Sequence, residues 1–475
     1  MMTRPGASSE ASQRAIPETR LLGGDLAHRT LLGQIAVLAI WPLLEQVMTF
    51  CVGMTDLIIA GRMAEDFDRV AVLDAMALGG YVGWFFSILQ IAVATGVMAL
   101  VSRATGGKDH ALANRGLGQA VWLGLGAGLA SFAILQLGAP ALIRWVDLGA
   151  LAAEKAESYL RVYALSGPFS GIMLALNAAL RGSGDTRTPF IGMLVVNAVN
   201  IAASWLLVLG PAPFGGHGIM GIATGTVIGW IAGFAIILIM VRVQRGELRL
   251  SLAALRPCRD TMRRILRVGL PQALEISGMW GIHAYGIRVI SRLPTEGALG
   301  AHILMIRVES LSFLAGFAVA TASAALVGQY LGAGSKAMAV RAVRACWKIN
   351  LVIMGGMGVV FLFAGGNMIR FIAPDSAMHL ALATPLLWVV ALSQPFFATC
   401  IVLKTSMRGA GATAMVIRYS FGSMIFFRIA VLGTADWLGL TSLVLVWIIL
   451  SLDLVVQSII FTRLHLAEKW LEAKV

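Results

Sequence analysis

An all-α polytopic membrane protein, twelve transmembrane helices in two parallel six-helix bundles, is what this sequence predicts. Three observations carry the prediction. Of 475 residues, 58% are hydrophobic and only 13% charged, whereas a soluble domain is about 25% charged. Long apolar runs such as "MGIATGTVIGWIAGFAIILIMV" (Met220 to Val241) and "LTSLVLVWIILSLDLVVQSIIF" (Leu440 to Phe461) recur, each longer than the roughly 20 residues a helix needs to cross a bilayer. Short motifs also return after a shift of about 227 residues, as an internal duplication requires.

The spans fall near 31–61, 72–101, 116–137, 157–180, 188–209 and 219–242, then 265–292, 298–329, 342–365, 380–404, 414–436 and 438–462. They must be helices, because lipid offers a backbone no hydrogen-bond partners and the runs are too long and evenly apolar for barrel strands. Residues 1–30 are polar and read as a disordered tail without a cleavable signal, so the first span is expected to serve as its own insertion signal. The remaining divisions are a bundle over 31–242, a linker over 243–264, a second bundle over 265–464 and a tail over 465–475.

Net charge is +13, and its placement decides its meaning. Lys and Arg number 26 on the side holding both termini and 7 in the opposite loops. That asymmetry is the positive-inside signal of cytoplasmic termini in a cell membrane, and it leaves no case for nucleic-acid binding. The four cysteines show neither a disulfide framework nor a metal spacing.

The duplication rests on three pairs. "RGSG" from Arg181 answers "RGAG" from Arg408; Leu100 to Arg115 answers Leu326 to Arg341; "WPLLE" (Trp41 to Glu45) answers "LPQALE" (Leu270 to Glu275). Six spans per half is an even number, so the halves share one orientation. This is the parallel-repeat plan of secondary transporters, with a substrate path between halves. The loop "ALRGSGDTRTPF" (Ala179 to Phe190) looks superficially like a phosphate loop. It lacks the Lys-Ser/Thr and the preceding strand of a true one. It reads instead as a tight turn, with Gly182 and Gly184 free in dihedral, Asp185 or Thr186 capping the next helix and Pro189 in its first turn.

Ionisable residues at bilayer depth are functional candidates. In the first span Glu45 and Asp56 lie 11 residues apart, within roughly 20° of one face and about 16 Å along the axis. Pro42 before them would loosen that helix. For Asp56 the choice is a site that loads and releases a proton or an outer carboxylate paired with Arg62. For Glu45 it is coupling or the pinning of helices. Asn177, Asn197, Asn200 and Ser204 add neutral polar groups. In the second half Glu275, four residues past Pro271, and Glu309 stand for substrate binding, or else for structural pairing with Arg288 or Arg307. Asp453 reads as structural. His283 and His302 read as packing groups or as a relay. Met54, Trp280 and Tyr285, with Trp84, Phe85, Phe86 and Phe313, would suit an adaptable apolar cavity, the 22 methionines adding to it.

The chain resembles the multidrug and toxic compound extrusion (MATE) family, in its DinF-like bacterial branch. "LRGSGDTRTP", "GMTDLIIAGRM" and "GAHILMIRVESLSFLAGFAVATASAALVGQYLGAG" carry the resemblance, which extends over residues 30–465. It implies export of bulky, often cationic organic compounds against an inward flow of protons or sodium ions, with Asp56 at the acidic coupling position. Many members carry Asn-x-x-x-Asp on the fifth span; here Asn200 is followed by Ser204. Losing that acid weakens a sodium cage, because hard cations want several anionic oxygens, and favours the proton. No nucleotide cassette or other cofactor motif is present, nor HExxH or a nucleophile–base pair, so an enzyme is not expected. The expected partners are small organic substrates and membrane lipids, the protein working as a monomer. A flippase for a lipid-linked saccharide is the alternative, with Arg288, Arg307, Arg418 and Arg428, and Lys404 if deep enough, as pyrophosphate ligands.

Overall fold

Each apolar run closes its own backbone hydrogen bonds, and the result is helical throughout. The computed structural model describes residues 22–23, 26–61, 72, 75–76, 78–79, 82–83, 85–146, 150–243, 248–372, 377–440 and 442–473. The first half contains α1 (Leu31–Gly61), α2 (Ile88–Gly106), α3 (His110–Val146), α4 (Ala150–Ala164), α5 (Gly167–Ser183), α6 (Arg187–Leu209) and α7 (Gly218–Val243). The second contains α8 (Arg259–Ser291), α9 (Ala298–Gly332), α10 (Lys336–Ile372), α11 (Ala377–Gly409), α12 (Thr413–Met424), a π-helical segment (Ile425–Val431), α13 (Leu432–Trp437) and α14 (Leu443–Leu466). No strand occurs among the described residues.

Ten of these helical stretches are long and apolar enough to span a membrane, and an eleventh arises if α4 and α5 count as one broken span. That break corrects the continuous run expected over 157–180: α4 and α5 meet at 51°. The cause is local. Pro168 stands in the first turn of α5, where it has no N–H to offer the Ala164 carbonyl and its ring would crowd that carbonyl in a continuous helix. The expected span at 72–101 is regular from Ile88 onward. The span near 265–292 is α8, which starts earlier and carries Arg259, Asp260, Arg263, Arg264 and Arg267 at its beginning. The segment expected as a tail at 465–475 is not wholly free: a 3-10 turn at Lys469–Glu472 buries Trp470 completely.

The quoted loop is shorter than its sequence suggests. Gly182 is helical and contributes closeness instead, since a Cβ there would stand 3.0 Å from the Met98 carbonyl. Gly184 alone takes a left-handed φ of 100°, where its N–H caps Arg181 and Leu180 and the Asp185 N–H reaches Leu180 O at 2.9 Å. Asp185 then accepts from the N–H of Thr188 at 2.9 Å and its hydroxyl at 2.6 Å. A left-handed glycine closing one helix and an aspartate opening the next make a complete turn.

The two halves interlock at the end holding the termini. A side chain at Gly106 would collide with the Gln329 carbonyl, at Gly332 with the Arg103 carbonyl, and at Gly96 with the Ile265 carbonyl. Gln329 Nε2 donates to Gly182 O at 2.9 Å, and the Tyr330 hydroxyl to Gln34 Oε1 at 2.6 Å. Leu22, Leu26, Ile35 and Leu38 of the first half share a core with Val319, Leu326 and Tyr330 of the second. At the opposite end the cores are separate, one built from residues 59–222 and the other from residues 289–449. The bundles are therefore sealed together at the terminal end.

Candidate functional site

Pro42 in α1 has no N–H for the Leu38 carbonyl, which frees one rung of the ladder. One turn further on, Glu45 accepts from Arg181 Nη2 at 2.6 Å through both oxygens. The repeat reproduces this pair: Glu275 on α8 accepts from Arg408 Nη2 at 2.7 Å. Lys404 Nζ stands 3.5 Å from the same carboxylate, and Lys404 occupies the place that Asn177 holds in the first half, by the shift relating Arg181 to Arg408. Asn177 is fully buried, and both its amide atoms lack hydrogen-bond partners among the described residues. Glu45 and Glu275 thus tie the first helix of each half to the arginine ending its fourth span. The expected pairing of Glu275 with Arg288 or Arg307 is replaced by Arg408 and Lys404; Arg288, Arg307 and Arg418 are exposed.

Asp56 differs. Its Oδ1 is buried without a hydrogen-bond partner, no cation pairs with it among the described residues, and Tyr159 on α4 lies within its electrostatic reach. Arg62, the expected outer partner, lies outside the described residues, as do Trp84 and the side chain of Met54. The relative heights of α1 and α6 follow from two contacts. The Thr186 hydroxyl donates to Val37 O at 3.1 Å, and the rings of Trp41 and Phe190 lie 5.1 Å apart. Counting up from these at about 1.5 Å per residue, Asp56 stands level with Ser204 and about one turn above Asn200. Glu45 stands roughly 16 Å below Asp56, and Asn177 near the terminal end of α5. The expected five-residue group is therefore split into two layers, with Asp56, Asn200 and Ser204 in the layer away from the termini.

Asn200 Nδ2 donates to Thr226 Oγ1 at 3.0 Å, while its Oδ1, Asn197 Nδ2 and Ser204 Oγ have no partner among the described residues. Asn200 and Ser204 are covered by α7, whose Gly221, Gly225, Gly229 and Gly233 repeat every fourth residue and let α6 approach closely. Small residues at that spacing are how membrane helices pack. A Cβ on Gly225 would strike the Ser204 hydroxyl, so Ser204 faces α7. Buried polar atoms are nearly always satisfied; Asp56 Oδ1, Asn200 Oδ1 and Ser204 Oγ are three that have no partner among the described residues.

The residues expected for substrate do not converge. Trp280 meets Phe85 across the bundles at 5.4 Å, while Tyr285 packs its hydroxyl toward Gly433 within the second bundle. Glu309 Oε1 accepts from Gln394 Nε2 at 3.2 Å, and Gln394 in turn accepts from Ser312 at 2.6 Å. Phe86 and Phe313 pack on Tyr163 and Phe397 inside their own bundles. His302, buried with no hydrogen-bond partner among the described residues, lies 6.1 Å from the His283 ring and 5.4 Å from the Trp447 ring. Sequence reasoning missed a polar chain through the second bundle. Asp453 accepts from Arg428 at 2.7 Å, Ser423 at 2.6 Å and Gln457 at 2.8 Å, and Gln457 accepts from Lys404 at 3.1 Å. The signal was available as Lys404/Arg408 and Asp453/Gln457, each pair four apart on one helical face. Among the described residues no three His, Cys, Asp or Glu could hold a metal together.

Two duplicated bundles, sealed at one end, with titratable groups at membrane depth, have the plan of a polytopic transporter. The MatE family model matches residues 43–206 and 271–432, one match in each half, and the chain belongs to that family. It is 26% identical over 450 residues to the probable multidrug resistance protein NorM of Thermotoga maritima, covering 92% of both chains. To the probable multidrug resistance protein YoeA of Bacillus subtilis it is 24% identical over 347 residues, covering 71% and 74%. Among solved structures, a MOP superfamily transporter from Pyrococcus furiosus superposes with a TM-score of 0.82 at 17% identity, covering 96% of this chain and 99% of that one. An outward-facing MATE family multidrug resistance transporter gives 0.82 at 18%, covering 96% and 99%.

Proposed function

We propose that the protein exports amphipathic, chiefly cationic organic compounds by exchange with protons, Asp56 carrying the coupling proton. One observation carries this reading. Among the described residues, Glu45, Glu275 and Asp453 each hold a cation within 2.7 Å and Glu309 accepts from the Gln394 amide, whereas Asp56 has neither and keeps a buried oxygen unpaired. An ion-paired carboxylate is already neutralised; an unpaired buried one is the group whose charge a proton can cancel. Ser204 in place of a second acid supports a proton over sodium. The positive-inside count supports cytoplasmic termini in the cell membrane, so the sealed end faces the cytoplasm and the conformation is outward-facing. Relatives named as multidrug resistance proteins support the substrate class. Of the cations raised for a pyrophosphate site, Lys404 and Arg428 are held by Glu275 and Asp453 while Arg288, Arg307 and Arg418 are exposed, which argues against the flippase alternative.

The test is energetic. Sealed vesicles containing the purified protein should move a fluorescent organic cation when a pH gradient is imposed in sodium-free buffer. A strict requirement for a sodium gradient at fixed pH would overturn the proton reading.

A further inference from the structure

A groove on the outside of the second bundle has the polarity of a lipid molecule. Trp347 and Leu351 of α10, Pro395, Phe396 and Thr399 of α11, and Ser458, Ile459, Thr462 and Arg463 of α14 line a cavity of about 400 Å³, within the range of small-molecule sites. Its ends differ. Arg463 stands three residues before the end of α14 at Leu466, whereas Pro395 and Leu351 stand 14 and 15 residues from the corresponding ends at Gly409 and Lys336. At about 1.5 Å per residue the groove rises from roughly 5 Å to roughly 22 Å above those ends, about the depth of one leaflet. The cationic end is at the terminal surface and the apolar end is deep.

The groove is built by its residues. Pro395 interrupts α11, and Thr399 one turn on donates to its carbonyl at 2.9 Å. Trp347 Nε1 donates to the Thr399 hydroxyl at 2.9 Å, which fixes the indole as one wall. Ser458 spends its hydroxyl on Val455 O at 2.7 Å, leaving the deep wall without a free donor. Arg463 is exposed, and no carboxylate pairs with it among the described residues.

We infer that this groove binds one anionic phospholipid of the terminal-side leaflet, its phosphate on the Arg463 guanidinium and an acyl chain along Trp347, Ile459, Phe396 and Leu351. An arginine at the headgroup level matches phosphate in charge and in donor geometry, and the apolar depth takes the chain. The occupant would adjoin the contact that ties the bundles together. Trp347 lies 6.4 Å from His465, which stacks at 5.7 Å on Trp470. Beyond Trp470, the Ala473 carbonyl accepts from Arg103 Nη1 of the first half at 2.7 Å.

Native mass spectrometry of the delipidated full chain tests this with dioleoyl phosphatidylglycerol, dioleoyl phosphatidylcholine and inorganic phosphate. The expected result is one retained phosphatidylglycerol, at least fivefold less phosphatidylcholine and no effect of phosphate. Arg463→Ala should reduce phosphatidylglycerol occupancy at least fivefold. Leu351→Trp, which fills the deep end and spares the arginine, should do the same. Retention unchanged in both folded variants, equal retention of the two lipids, or displacement by phosphate alone would each overturn the proposal.

Discussion

Replacing Arg408 with methionine tests whether the repeated ion pairs are what hold the first helix of each half. The Glu275 side chain is 4% exposed and that of Arg408 17%, so the pair sits mostly out of water. Methionine keeps the apolar stem and removes the charge. Removing one partner of a buried pair costs about 3–5 kcal/mol, because the other charge is stranded. Lys404 stays 3.5 Å from the carboxylate and retains part of the attraction, which places the expected loss near the lower end, about 3 kcal/mol. Glu275→Gln together with Arg408→Met leaves no stranded carboxylate, so the double variant should be more stable than the sum of the singles by roughly 1–3 kcal/mol. In the first half Glu45 is 12% exposed, so Arg181→Met should cost less. Denaturant midpoints in mixed micelles, compared at constant slope, give these differences. A loss under 1 kcal/mol with strict additivity would refute the reasoning.

Three further outcomes are expected. Ser204→Asp should fail as a way to complete an acidic cation site: the hydroxyl already lies against Gly225, and a carboxylate there should push α6 from α7 and lower the unfolding midpoint, whereas a stable variant with sodium-driven transport would contradict the packing. Gly106→Ala should loosen the sealed end, because its Cβ has only the Gln329 carbonyl to meet; spin-label distances across that end should broaden, and unchanged distances would count against the seal. For topology, cysteines at Ser183 and Ser335 should resist an impermeant maleimide in intact cells while one at His217 reacts, and the reverse labelling would invert the orientation. The background must lack Cys258, whose thiol is held below the usual thiol range by the hydrogen bond from the Thr261 hydroxyl.

Helix content, the two-half plan and the pairing of Glu45 with its twin Glu275 were legible in the sequence, because hydrophobic runs and repeat spacing are local or periodic signals. The partners were not. Arg181 and Arg408 read as loop charges, yet their helices extend past them and long stems bring the guanidinium groups to acids 136 and 133 residues away. Lys404 read as a cytoplasmic charge for the same reason, and Asp453 gave no hint of Arg428. The break between α4 and α5 was signalled by Gly167-Pro168 but masked by an unbroken apolar run. Ser204 was legible as a missing acid; that it faces Gly225 follows only from the close approach of α6 and α7.

Asp56→Asn is the substitution that addresses the coupling claim. Asparagine matches the shape of the neutral acid and cannot change charge, so the variant should insert, fold and bind a fluorescent organic cation. Pairing the binding measurement with proton-gradient-driven transport in the same vesicles separates coupling from folding. Binding within a few-fold of wild type and loss of gradient-driven export are expected. Export near the wild-type rate that still follows the pH gradient would contradict the coupling claim and move the coupling site to another carboxylate, Glu309 first, which accepts from Gln394 and pairs with no cation among the described residues.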